Sequence, residues 1–301
     1  FRQEFVSKGG LQTLFETYQC HKEDIPFVVF GTPLLRLLPA NHDKLGVQDG
    51  KMVFQICVEA LEREASDTSA VQTILEVLDR LLQAGLLCQE ESLIHSLLHG
   101  IECMSSTEAT IELAISVLEG VIRSLSAPGE LRSRVVQQMF DEVYKGAQYE
   151  QVVNRAMNLW DDFKQDPALL LEFDKTAADA YQSAFLSCLN TQVGLENATT
   201  LLCRYIHCEE NAQRLIDNGL MVLLSSNIQG YVSDDNKIYF LLVLYRLSLY
   251  QCSCTVFLRD KELCDRVKTM ILQLPQPTEE LKMLSTSLVD CILNGYQQSK
   301  E

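Results

Sequence analysis

Apolar residues recur along this chain with a period near 3.6, and short polar, Gly- or Pro-containing breaks interrupt them at regular intervals. Residues 211–250, NAQRLIDNGLMVLLSSNIQGYVSDDNKIYFLLVLYRLSLY, show one full cycle. A short helix carries Leu215 and Ile216 and stops at Asn218-Gly219. A second runs from Leu220 to Ser226. After a polar break at Gln229–Asp235, a longer helix spans Asn236–Tyr250. The opening residues follow the same order. Phe5 and Val6 precede Gly9-Gly10, a helix follows over Leu11–Cys20, and a further apolar helix begins beside Pro26, where a missing N–H costs little. Gly31-Thr32-Pro33 is expected to kink or split that helix.

The middle of the chain continues the rhythm. A turn at Asp49-Gly50 leads into Lys51–Glu64. The polar run Ser66-Asp67-Thr68-Ser69 supplies an N-cap for Ala70–Gln83, where Val71, Ile74, Leu75, Leu78, Leu81 and Leu82 share one side. Helices are predicted over Glu90–Cys103, Glu108–Leu125, Leu131–Lys145, Tyr149–Lys164, Leu169–Leu189, Val193–Cys208, Leu263–Leu274 and Thr278–Gly295. Ala127-Pro128-Gly129 and Pro275-Gln276-Pro277 are breaks. The longer closing helix of each cycle begins near residues 24, 70, 108, 150, 195, 235 and 278, a mean spacing of about 42. No strand-like alternation of useful length occurs.

Self-similarity at this period, with two or three helices per cycle, is the mark of armadillo and HEAT arrays. FVSKGGLQTLF (Phe5–Phe15) and LIDNGLMVLL (Leu215–Leu224) resemble the armadillo passage from a short first helix through a Gly turn into the second. The resemblance implies an all-α, armadillo-like right-handed superhelical solenoid of about seven degenerate units, forming a single domain over residues 1–301. Each unit is too small to bury its own apolar face, so neighbours complete the core. The chain opens at Phe1, without Met and inside an amphipathic pattern, and is expected to be a segment of a longer protein.

Composition narrows the function classes. A formal charge of −16 disfavours sequence-independent nucleic-acid binding; it permits attraction to a basic protein segment, although solubility alone accounts for it. No run of 18 uncharged apolar residues is present, so no membrane span is expected. The 11 cysteines are an odd number, set mostly among apolar helix positions such as Cys57, Cys103, Cys188, Cys203 and Cys291. That usage points to buried thiols in a reducing cytoplasmic or nuclear setting.

Catalytic signatures are missing: there is no GxSxG, no HExxH and no strand to precede a phosphate loop. No enzymatic activity and no cofactor are expected. Cys88, His95, His99 and Cys103 form one constellation with metal-ligand chemistry, the last three at intervals of four. Beside them Leu93, Ile94, Leu97 and Leu98 make an ordinary packing face, and short Cys-x-x-Cys pairs are lacking. Cys252-Ser253-Cys254 reads as a loop at the end of a helix. Asn197-Ala198-Thr199 matches the glycosylation pattern, against which the cysteine usage argues.

The resemblance implies that the third helix of each unit lines a concave groove. The candidates it nominates are Gln72, Glu76 and Asp79; Glu112, Ser116, Glu119 and Arg123; Asn154, Asn158 and Asp161; and Tyr239, Arg246 and Tyr250. Polar groups at i, i+4, i+7 can hydrogen-bond an extended or helical segment, and the acids among them attract Lys and Arg. The Trp–Asn pairs of importin-type repeats are absent: the sole Trp is Trp160, and position 164 is Lys. Two functions are therefore expected: a non-catalytic scaffold presenting this groove to a protein partner, or the regulatory or substrate-recruiting arm of a multidomain enzyme such as a kinase or ubiquitin-pathway protein.

Overall fold

A computed structural model describes residue 4 and residues 8–37, 47–86, 90–125, 129–163, 177–186, 192–228, 237–259, 261–272, 282–283 and 285–290. Regular structure among the described residues is helical throughout, without strands. The chain divides into two compact units, Phe1–Gly146 and Ala147–Glu301.

The first unit carries α1 (Gly10–His21), α2 (Phe27–Leu37), α3 (Val47–Arg63), α4 (Thr68–Gln83), α5 (Glu91–Cys103), α6 (Glu108–Ser124) and α7 (Glu130–Lys145). Each packs against the helix two places further on. The odd row runs α1–α3–α5–α7 and the even row α2–α4–α6. The starts of these partners lie 37–44 residues apart. The eight buried residues of α4, from Ala70 to Leu82, explain why it can touch α2, α3 and α6. Each aliphatic side chain so buried contributes roughly 1.5–3 kcal/mol before entropy is deducted. An aromatic cluster closes the first helix pair, with Tyr18 stacked on Phe30 at 4.4 Å and edge-on to Phe27 at 5.9 Å.

The second unit repeats in threes. It carries α8 (Glu150–Phe163), α9 (177–186), α10 (Gln192–Tyr205), α11 (Glu209–Asp217), α12 (Leu220–Ile228), α13 (Lys237–Ser248), α14 (Gln251–Arg259) and α15 (Lys261–Leu272). Here α10 packs on α13, α11 on α14 and α12 on α15, with starts 41–45 residues apart; α8 also packs on α10.

Local signals set the boundaries. Asp67 caps α4 by accepting from the amides of Ser69 and Ala70 at 2.9 and 3.1 Å. Thr107 and Thr110 form a reciprocal capping box at α6. The helix α4 ends in a Schellman turn: Leu86 N–H bonds Leu81 O, Gly85 N–H bonds Leu82 O, and Gly85 takes φ 68°. Gly9 and Gly219, both expected at turns, have φ 75° and 82°.

Three expectations are corrected. Of the kink or split expected at Pro33, the split does not occur: α2 is continuous from Phe27 to Leu37. Pro33 and Val29, whose carbonyl loses its amide donor, are both exposed, so water can replace the missing bond. Asp49-Gly50 is not a turn but part of the first turn of α3, where an acid suits the helix dipole. A side chain at Gly50 would stand 3.0 Å from Leu86 Cβ, so close packing accounts for the glycine. Cys252-Ser253-Cys254 lies inside α14, not in a loop. The expected breaks at Gln229–Asp235 and Pro275–Pro277, and most of the helices predicted over Leu169–Leu189 and Thr278–Gly295, fall outside the described residues.

Candidate functional site

In the first unit the candidates occupy two neighbouring helices of the even row. Gln72, Glu76 and Asp79 stand on α4; Glu112, Ser116, Glu119 and Arg123 stand on α6. A direct bond joins the two sets: Ser116 Oγ donates to Asp79 Oδ1 at 2.7 Å, while Gln83 Nε2 donates to Asp79 Oδ2 at 2.7 Å. Gln72 Nε2 donates to Glu76 Oε1 at 3.1 Å. Glu76 and Glu112 are half-buried acids without an ion pair among the described residues. Glu119 differs: it is buried, at 7% exposure, and bound to Arg123 at 2.6 Å. The α4–α6 surface is thus a polar strip whose Asp79 and Glu119 are occupied internally and whose Glu76 and Glu112 retain carboxylate oxygens for other donors.

In the second unit Asn154 and Asn158 are exposed on α8, one turn apart. Tyr239 Oη donates to Glu196 Oε2 at 3.2 Å, joining α13 to α10. Arg246 Nε donates to Ile206 O at 3.0 Å, and Tyr250 Oη reaches the same carbonyl at 3.3 Å. That carbonyl follows the end of α10, so Arg246 serves as a cap from the next cycle of helices. Arg246 also opposes the effect of burial on Cys203, whose thiol is nonetheless pushed up to about 11. Asp161 lies on α8.

The bonds between cycles are themselves periodic. Phe27 N–H donates to Glu64 (37 residues apart), Arg80 to Leu35 O (45), Ser105 Oγ to Ser66 O (39), Gln182 to Asn218 O (36), Asn218 Nδ2 to Asp179 (39), Cys252 N–H to Glu209 (43) and Arg266 to Ser225 O (41). Sequence reasoning missed these residues because the partner of each lies one whole cycle away. The signal that finds them is the 36–45-residue separation itself.

The His/Cys constellation is only partly assembled. Cys88 lies outside the described residues. His99 Nδ1 stands 3.8 Å from Cys103 Sγ, and His95 Nε2 stands 3.7 Å from Glu91. His95 and His99 face a cavity of about 200 Å³ between α5 and α7, shared with Glu102, Arg134, Gln137 and Gln138. Among the described residues no three His, Cys, Asp or Glu side chains are placed to hold one ion. The described cysteines Cys20, Cys57, Cys103, Cys203, Cys208, Cys252 and Cys264 are free thiols, and burial raises the pKa of Cys57 strongly. No single described helix is long and apolar enough to cross a membrane.

No family model matches the chain, and no curated protein matches it. Two crystal structures of engineered proteins align with most of it. One is 9% identical, covers 94% of this chain and 97% of its own, and has a TM-score of 0.36. The other is 12% identical, covers 87% and 70%, and has a TM-score of 0.41. At these scores neither carries an argument about fold or function.

Proposed function

We propose that the chain is an armadillo-like helical repeat array acting as a non-catalytic module for binding protein partners. Pairs of helices in the first unit and triplets in the second correspond to HEAT-like and armadillo-like variants of one stacking scheme. The partner is an extended or helical segment with Lys or Arg side chains, seated along the even row of the first unit. The observation that carries this reading is the α4–α6 strip: Glu76 and Glu112 stand half-buried on adjacent helices, while Asp79–Ser116 fixes the register of those helices. Carboxylates held on a rigid row cost a partner little ordering on the protein's side. Free thiols among the described cysteines suit a reducing cytoplasmic or nuclear compartment.

The test is affinity capture from cell extract with the wild type and with a Glu76→Lys/Glu112→Lys variant. A Glu62→Lys/Glu130→Lys variant, at exposed positions on the odd row, serves as control, and circular dichroism confirms helix content in all three. Proteins lost with the strip variant and kept with the control support the proposal. Identical capture by all three overturns it.

A further inference from the structure

We propose that the cavity between α5 and α7 is a binding site for a free basic amino acid, lysine or arginine, separate from the acidic strip on the even row. His95, Leu98, His99 and Glu102 of α5 line it from one side, and Arg134, Gln137 and Gln138 of α7 from the other. Both sets follow i, i+3, i+4 spacing, so each is one face of its helix. Burial, and to a lesser degree the nearby Glu102, raises the pKa of Asp141, one turn beyond Gln137. The later ends of the two faces therefore meet, and the acids gather there. His95 and Arg134 stand at the opposite end, about 10 Å away along the helices.

The charges of the cavity do not cancel one another. Arg134 pairs neither with Glu102 across the cavity nor with Glu130 one turn before it, and neither Arg134 nor Glu102 has a hydrogen bond or ion pair among the described residues. Gln137 and Gln138 direct their Nε2 groups to Asp141 and Glu142, at 3.1 Å each, which leaves their carbonyl oxygens as acceptors. His95 Nε2 stands 3.7 Å from Glu91, which favours the proton on that nitrogen, and Nδ1 is buried without a hydrogen-bond partner. One fixed cation thus faces a surplus of acceptors. The matching ligand carries one carboxylate and more than one cation. The carboxylate of lysine meets the Arg134 guanidinium, its α-ammonium meets His95 Nδ1, and its side-chain ammonium, on a flexible stem, reaches Glu102. A phosphate or a dicarboxylate would also meet Arg134, but would set further negative charge against Glu102 and Asp141. The volume of about 200 Å³ lies below the range of about 300–1,000 Å³ that holds drug-sized ligands and suits a molecule of amino-acid size. The chain's formal charge of −16 draws a ligand of net positive charge.

The experiment is isothermal titration calorimetry of the full chain at about pH 8, where an ordinary imidazole is neutral. Saturable binding of L-lysine or L-arginine at one site per chain is expected. Nε-acetyl-lysine, which lacks the side-chain cation, and cadaverine, which lacks the carboxylate, should each bind at least about tenfold more weakly than lysine. Glu102→Gln should weaken lysine by a similar factor and leave Nε-acetyl-lysine unchanged. Arg134→Gln should weaken lysine and leave cadaverine unchanged. Both positions are exposed, and melting temperatures close to that of the wild type confirm that the variants fold. Absence of saturable binding by lysine and arginine, cadaverine binding as tightly as lysine, or no effect of Glu102→Gln overturns the proposal. Nα-acetyl-lysine binding as tightly as lysine would make the end of a peptide chain the ligand and overturn it as well.

Discussion

At the scale of single residues, the positions that matter are those where one conformation or one charge has no substitute. Gly219 has φ 82°, and a Cβ built on it meets nothing within 4 Å. Replacement therefore costs backbone strain and no clash. Gly219→Ala should lower stability by about 1–2 kcal/mol, and Gly219→Val by more, because the β-branch is least at ease there. Thermal unfolding of both variants checks the order; equal melting temperatures for wild type and Gly219→Val would refute the turn's role. Asp67→Ala should cost about 1 kcal/mol through loss of two amide partners, whereas Asp67→Asn should be nearly neutral. Both positions were legible in sequence, because a Gly after a helix and an Asp before one are local signals. Glu119 was not. At i+7 from Glu112 it reads as one of the groove-lining acids, yet it is buried against Arg123. Glu119→Lys would bury an ammonium beside the exposed Arg123, with an expected cost of about 1–3 kcal/mol. Glu112→Lys, on the same helix, should change stability by less than about 0.5 kcal/mol. Denaturant midpoints of the two variants separate these outcomes.

At the scale of helices, most of the description was available before any coordinates. The period of apolar residues reports a helix's buried face, and Ala70–Gln83 has the six core positions expected of it along with Ala70 and Val77. The spacing of about 42 reports how often that face must be covered. What sequence does not encode locally is which helix supplies the cover, whether two helices or three make a cycle, and which polar side chain reaches across. Arg246 illustrates the difference. As one of few polar residues on an apolar helix it looks like a binding residue, yet it holds the Ile206 carbonyl of the preceding cycle. A charged donor on a half-buried carbonyl contributes about 1.5–3 kcal/mol. Arg246→Leu should lower the unfolding free energy by that order, and hydrogen exchange should rise at the end of α10, which it caps. Loss of partner capture without loss of stability would assign Arg246 to recognition instead. The same logic accounts for Pro33: the local rule against proline in helices fails where the proline and the residue it leaves without a donor are both exposed.

At the scale of the whole molecule, charge is the property that acts on every cycle at once. A formal charge of −16 and a pI near 4.8 mean that the folded chain repels itself at neutral pH. Two carboxyls of α7 add to this in a specific way. Glu142 is fully buried, accepts from Lys145 at 2.7 Å and Gln138 at 3.1 Å, and keeps Oε2 without a partner. Burial raises its pKa above 4.5 despite Lys145, and burial with the nearby Glu102 raises that of Asp141. A carboxyl with a raised pKa binds its proton more tightly when folded than when unfolded. Its burden on the folded state is absent below the ordinary carboxylate value, builds as pH rises through the interval up to the raised value, and is complete above it. The chain should therefore melt at a higher temperature at about pH 5, just above its pI, than at about pH 7.5. Added salt should raise the melting temperature at the higher pH by screening the general repulsion, and should do so less at the lower. The two contributions separate in Glu142→Gln, which keeps a hydrogen-bonding side chain for Lys145 but cannot ionise. That variant should lose part of the pH dependence while its salt response persists. A pH profile that Glu142→Gln leaves untouched would place the effect in the diffuse charge alone, and a melting temperature that falls on acidification from pH 7.5 would show that carboxylates stabilised by ionisation outweigh both.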